Sequence, residues 1–218
     1  RSMDSSLLTR ARDGDDRALE EFLRRHDPAI RRDIDHAIPT RWRALLEKWF
    51  DRYLANEISM LEQRRGRVRE LFPGMADDEA DRRFAVYVGA YAARVELFPD
   101  TVPALDALAS GPLGVITNGQ TVQQRNKLEQ TGLLARFAHV VVSEDVGVAK
   151  PKPQIFHEAA RRAGVEPPAC TYVGDRLATD ALGAAAAGWK GVWLNRNPSV
   201  PADPRVRTIR SLVEVAGR

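Results

Sequence analysis

Apolar residues along the first part of the chain recur at helical spacing, and beyond Pro99 the recurrence changes. Leu19, Phe22 and Leu23 are followed by Ile30, Ile34 and Ile38. Trp42, Leu45, Leu46, Trp49, Phe50, Tyr53 and Leu54 continue the stripe, and Val68, Leu71 and Phe72 close it. Such spacing gathers apolar side chains on one face of successive helices. Breakers stand at His26-Asp27-Pro28, Ile38-Pro39, Phe72-Pro73-Gly74 and Phe98-Pro99. The stretch from Asp16 to Tyr91 therefore predicts four or five helices packed as a bundle. Trp42 and Trp49 share a face and are expected in its core, with a substrate-facing wall as the alternative. Arg64-Arg65-Gly66-Arg67 could grip an anion, but reads first as a solvated helix face with a local kink at Gly66.

After Pro99 short apolar runs alternate with helical segments. A short helix over 102–109 precedes Pro112. Strands are expected at 113–117, 140–142, 171–173 and 192–194, with a further short one at 206–209. Helices are expected over 122–130 and 154–163, and an Ala-rich helix runs up to Gly188. Strands alternating with helices of this length predict βαβ units, hence a Rossmann-like parallel sheet with helices on both faces. In such sheets ligands bind at the carboxyl ends of the strands.

Composition narrows the class. The chain has 218 residues, 44% of them hydrophobic, and a single Cys. That is enough apolar surface for a core and excludes an internal disulfide framework. One Cys fits a reducing compartment, so a cytoplasmic location is expected. Cys170 precedes a strand and is expected to be buried. No apolar run approaches membrane-spanning length, and the start lacks a secretory pattern. The net charge of +3 arises wholly after residue 98, where 14 basic residues face 11 acidic ones. This favours a small anionic ligand. It is too slight an excess for nucleic acid, and no basic stripe is interleaved with aromatics.

The candidate chemistry sits at the strand ends. Thr171-Tyr172-Val173 runs into Gly174-Asp175, and Asp180 follows five residues later at a helix start. Two carboxylates that close repel unless a cation lies between them, and hard oxygen ligands of this kind suit Mg²⁺. A Gly turn with a helix-capping Asp is the competing reading. The 113–117 strand ends in Thr117-Asn118-Gly119 before a helix. A hydroxyl, an amide and free backbone N–H groups there could cradle a phosphate; a cap with a Gly turn is the alternative. Lys150 is held between the end of the 140–142 strand and a helix by the Pro151 and Pro153 of Lys150-Pro-Lys-Pro153, where its point charge could neutralise a phosphate. His26, His36, His139 and His157 show no metal-ligand spacing. GxGxxG, P-loop, nucleophile-elbow and CxxC patterns are all missing.

Taken together, Ile116-Thr117-Asn118-Gly119, Lys150-Pro151 and Gly174-Asp175 with Asp180 resemble motifs two, three and four of the haloacid dehalogenase-like hydrolases. The texture is most similar to the phosphatases of sialic acid phosphate and nucleoside monophosphates. The resemblance implies an α/β core over 98–218 and an inserted helical cap over 11–97. It implies Mg²⁺-dependent hydrolysis of a small phosphorylated metabolite through an aspartyl-phosphate. Thr117, Asn118, Gly119 and Lys150 would bind the phosphoryl group. Asp4 would act as general acid and base. Asp175 and Asp180, with Asp4, would hold the metal. The metal-free dehalogenases of the superfamily lack the acidic pair, so Asp175 and Asp180 favour a phosphatase over a 2-haloacid dehalogenase.

The first motif departs from the family pattern. An apolar strand ending in Asp-x-Asp-x-Thr-Leu is expected there, and the chain opens Arg1-Ser2-Met3-Asp4-Ser5-Ser6. Residues 1–10 match only its second half: Asp4 takes the acid/base position, Ser6 the Thr position, and Ser2 the nucleophile position. Arg1-Ser2 before a Met reads as a cloning remnant, so a missing strand and nucleophile are the first expectation. A natural loss of the nucleophile, giving a phosphate-binding or scaffold protein, is the second; a strand supplied by tag residues or another chain, or a different alignment of the start, is the third. Either would leave two strand edges without a partner.

Overall fold

A computed structural model of the chain describes Glu21, residues 38–92 and residues 95–216. Asp4, Ser2, Ser6 and the predicted helices before residue 38 lie outside the described residues. The chain divides into two compact units, with the boundary between Arg94 and Val95.

In the first unit, helix α1 (Ile38–Leu54), α2 (Met60–Leu71) and α3 (Asp77–Ala92) follow one another. The Ile38-Pro39 break is where α1 begins, as expected of a proline tolerated only in the first turn. Ser59 caps α2 reciprocally with Glu62: the Glu62 N–H donates to the Ser59 hydroxyl at 3.2 Å and the Ser59 N–H to the Glu62 carboxylate at 2.7 Å. Asp77, Asp78 and Glu79 place negative charge in the first turn of α3, where the helix dipole favours it. Val68, Ala80 and Phe84 are buried, and Trp42, Phe72, Met75, Tyr87 and Val88 pack around them.

Two expectations about α2 fail. The helix runs through Gly66 without a break. Gly66 faces Trp49, and a Cβ at this position would overlap the indole ring, so the glycine serves close helix packing rather than a kink. Nor is the arginine run a solvated face. Arg65 grips Asp81 with two hydrogen bonds, 2.8 and 2.5 Å, tying α2 to α3, and Arg67 is buried.

The second unit opens with α4 (Thr101–Ala107) and continues β1 (Gly114–Thr117), α5 (Thr121–Gln130), β2 (His139–Val142) and the single turn α6 (Ser143–Val146). Then come α7 (Pro153–Ala163), β3 (Thr171–Gly174), α8 (Gly183–Ala186), β4 (Lys190–Leu194), β5 (Arg207–Ile209) and α9 (Val213–Ala216). Every strand pairing is parallel. β1 pairs with β2, Ile116 opposite Val141, and β3–β4–β5 form a second group with Val173 opposite Val192. Pro153 opens α7 and Gly164 ends it in the left-handed region, following the usual terminal preferences. Its buried face, Ile155, Phe156, Ala159 and Ala160, covers Ile116 and Val141, with Ala184 and Ala187 in the same core. Cys170 is buried and unpaired, and burial raises its thiol pKa.

Among the described residues no strand bridges β1 and β3. The Tyr172 hydroxyl instead donates to the Ile116 carbonyl at 2.9 Å. Asp100 fastens the start of this unit to its end. Its carboxylate accepts two bonds from Arg196, at 2.9 and 3.0 Å, one from the Ser211 hydroxyl and one from the Leu212 N–H. No helix among the described residues is long and apolar enough to cross a membrane.

Candidate active site

The carboxyl ends of β1, β2 and β3 carry the polar residues singled out by spacing. Lys150 joins them because Asn118 holds its backbone from both sides. The Lys150 N–H donates to the Asn118 side-chain oxygen at 2.9 Å, and the Asn118 amide donates to the Lys150 carbonyl at 3.0 Å. This clamp lets the Lys150 side chain run inward. Its ammonium donates to Asp180 at 2.6 Å and to the Tyr172 hydroxyl at 2.6 Å. Lys150 and Asp180 are 8% and 4% exposed, so this is a buried ion pair.

Asp180 has both oxygens engaged, one by Lys150 and the other by the Arg176 N–H at 3.0 Å. It sits in a six-residue π-helical segment, Leu177–Leu182, that precedes α8; the expected Ala-rich α-helix is confined to the single turn that follows. Its side chain packs on Gly174, where a Cβ would overlap it. Asp175, one residue beyond β3, is exposed. The Trp193 indole N–H donates to its carbonyl at 3.0 Å, which fixes the backbone there. A hard carboxylate open to water fits a Mg²⁺ ligand. Asp180 fits a supporting position, because its oxygens are already hydrogen-bonded. Among the described residues no three His, Cys, Asp or Glu side chains cluster as a ready metal cage.

The donors expected to cradle a phosphate are given to other groups of the protein. The Thr117 hydroxyl donates to Gln124 at 3.2 Å. The Gly119 N–H, expected to be free, donates to the buried Ser143 hydroxyl at 2.9 Å. Gly119 has φ of +142°, a conformation few other residues adopt. Next to it, the Thr121 N–H donates to Glu144 at 2.8 Å and its hydroxyl to Asp145 at 2.5 Å. Lys150, Thr117, Asn118, Gly119 and Asp180 are thus brought together.

Three participants are given no role by the sequence reading. Tyr172 looked like a strand residue, yet it links Lys150 to the Ile116 carbonyl. Burial and the nearby Asp180 and Asp175 charges hold its hydroxyl protonated well above its ordinary range. Ser143 and Gln124 receive the donors of the 117–119 turn. Their one sequence signal was position, at the end of a strand and one turn into the following helix.

Comparison with known proteins converges on the same stretch. A family model described as haloacid dehalogenase-like hydrolase matches residues 8–188. The chain is 44% identical over 110 residues to the glyceraldehyde 3-phosphate phosphatase of Methanopyrus kandleri, which covers 50% of this chain and 47% of that one. It is 35% identical over 149 residues to the pyrimidine 5′-nucleotidase YjjG of Escherichia coli, 67% of this chain and 65% of that one. The chain therefore spans about half to two thirds of the length of these curated relatives. Among solved structures, the magnesium-bound putative hydrolase YfnB of Bacillus subtilis superposes with a TM-score of 0.72 at 21% identity, covering 85% of this chain and 83% of that one. A 2-haloacid dehalogenase from Pseudomonas syringae pv. Tomato gives 0.61 at 29% identity, with 82% and 79% covered. Because the family match takes in most of the chain, from the helical unit through the Asp175–Asp180 segment, the chain belongs to the haloacid dehalogenase-like hydrolases.

Proposed function

We propose that the protein is a phosphatase of small phosphorylated metabolites that works with Mg²⁺. The observation that carries this reading is the buried Lys150, its backbone clamped by Asn118 and its ammonium paired with Asp180 at the strand edge, with the exposed Asp175 directly after β3. A phosphoryl group needs positioning and charge neutralisation more than covalent help from the protein. Lys150 supplies fixed positive charge. An ammonium has three N–H bonds, and two are engaged, which leaves one for a phosphate oxygen. Asp175 would hold the metal and Asp180 would orient Lys150 and the Arg176 backbone next to it. Mg²⁺ bound there would screen the phosphate charge. Thr117 and the 118–119 turn would line the phosphate side, and Asp4 would move the proton to and from the leaving oxygen. The nucleophile position falls on Ser2, so we infer that turnover requires an Asp there at the end of a strand pairing with β1 and β3. The phosphatase relatives support the substrate class, and the acidic pair weighs against the dehalogenase reading.

The test assays the chain carrying Asp at position 2 behind an apolar strand. Hydrolysis of an aryl phosphate is expected only with Mg²⁺, and it is expected to vanish in Asp175→Asn. Metal-independent halide release from a 2-haloacid would replace the phosphatase reading with the dehalogenase one. Saturable phosphate binding with neither activity would identify a binding protein.

A further inference from the structure

The helical unit contains a buried cation that its own structure leaves unsatisfied. Arg67 is 3% exposed. Its guanidinium carbon stands 4.1 Å from the Trp42 ring centroid, 5.5 Å from that of Phe84 and 5.7 Å from that of Tyr87. The ring faces attract the cation, but the guanidinium edge still needs acceptors. Nε and Nη2 are out of solvent and have no hydrogen-bond partner among the described residues, and the Trp42 indole N–H is in the same condition. Burial draws the proton affinity of Arg67 down, with Tyr87 opposing.

Nε and Nη2 point from one edge of the guanidinium and form a fork matched to the two oxygens of a carboxylate. Other arginines of this chain fill that same edge. Arg65 places it on Asp81 at 2.8 and 2.5 Å, Arg161 on Glu158 at 2.7 and 2.9 Å, and Arg205 on Asp203 at 2.9 and 2.7 Å. Arg67 lies two residues from Arg65 on the same helix and presents an equal fork with no acid on it among the described residues. The acids at the start of α3 are engaged elsewhere: Asp77 and Asp81 by Arg65, Asp77 also by Arg69, Asp78 and Glu79 by Arg82, and Glu79 also by Arg83. An arginine kept only to fill space among rings would leave these donors stranded. An apolar side chain of similar volume would fill the space without that cost.

We propose that Arg67, with the Trp42 indole N–H beside it, binds the carboxylate of a small organic acid. Trp42 and Tyr87, which pack edge to face, are half-buried, so the rings around the guanidinium reach solvent. The rings already hold the guanidinium in place, so binding orders little else and adds two charge-assisted bonds away from water. The site lies within the helical unit and does not depend on the phosphatase reading.

The experiment follows the arginine Nε–H and indole N–H resonances of the full chain in ¹H–¹⁵N correlation spectra. Sodium acetate is titrated against sodium chloride of equal ionic strength, and inorganic phosphate forms a second arm. Acetate is expected to shift one Nε–H and one indole N–H saturably. In Arg67→Met that Nε–H signal disappears, the indole stops responding, and apparent affinity falls at least tenfold. Trp42→Phe should remove the responding indole signal and keep the Nε–H shift, which holds the test open if Arg67→Met does not fold. Equal responses to acetate and chloride, or an indole shift that survives Arg67→Met, would overturn the proposal. Saturation by phosphate with no response to acetate would overturn the carboxylate assignment.

Discussion

Replacing Asp180 by Asn tests the centre of the candidate site, because the ion pair it makes with Lys150 is almost fully enclosed. The two side chains are 5% and 10% exposed, with 2.6 Å between the charged atoms. Removing one partner of a buried pair leaves the other charge without compensation, at a cost of about 3–5 kcal/mol. Tyr172 softens that loss little, since its hydroxyl hydrogen is already given to the Ile116 carbonyl. An amide at position 180 could still accept from the Arg176 N–H, so the charge effect is isolated from the backbone contact. Urea unfolding followed by Trp189 and Trp193 fluorescence, with Trp42 and Trp49 replaced by Phe, reports on the α/β unit. With a denaturant dependence of about 1–3 kcal/mol per molar, the midpoint should fall by at least about 1 M. Lys150→Met in the Asp180→Asn background should recover part of the loss, because the stranded charge is gone. A single variant within about 1 kcal/mol of the parent, or a double variant whose loss is the sum of the two singles, would refute the claim that this pair is desolvated and coupled.

Two further outcomes follow from packing and charge elsewhere. Gly66→Ala forces a methyl into the Trp49 ring and should destabilise the helical unit by about 1–3 kcal/mol; an unchanged thermal midpoint by circular dichroism would contradict the close packing of α1 on α2. The Arg196 guanidinium, with Ser211 and the Leu212 N–H, holds the Asp100 carboxyl far below its ordinary range. A lowered folded pKa means the stabilisation is complete above the unfolded value of about 3.9 and is lost as pH falls through the folded one. Asp100→Asn should therefore lower stability at neutral pH and flatten its decline below about pH 4, read from urea midpoints across pH.

The strand edge was legible because its signals are local. Apolar β-formers run into Thr117 and Gly174, and a chain that alternates strand and helix brings such ends to one side of the sheet. Asp175, Asp180, Lys150 and Asn118 could be placed there from spacing alone. The arginine run of α2 was misread for a physical reason. Arg64, Arg65 and Arg67 look alike as letters, and a charged run usually faces water. Arg65 finds Asp81 only because α3 packs against α2, and Arg67 turns to the rings of Trp42, Phe84 and Tyr87, which come from positions far apart in the chain. Gly66 carried the same ambiguity. A missing side chain can mark a kink or a close approach, and only the position of Trp49 decides.

The sequence also could not say which donors are already engaged, and that distinction shapes the chemistry. The Asn118 side chain looks like a phosphate ligand, but both ends of its amide grip the Lys150 backbone. On the phosphatase reading it would act on a phosphate through Lys150. The Gly119 N–H is given to Ser143, and the Thr117 hydroxyl to Gln124. Both are bonds to neutral oxygens, which a charged phosphate oxygen can outcompete because charge-assisted bonds are about twice as strong. Lys150 differs in kind, since its bond to Asp180 is itself charge-assisted and buried. A phosphoryl group arriving at this edge would then rearrange the 117–119 turn and leave the Lys150–Asp180 pair where it is. On this argument the fixed charge is the rigid part of the site and the motif's hydrogen-bond donors are its adjustable part.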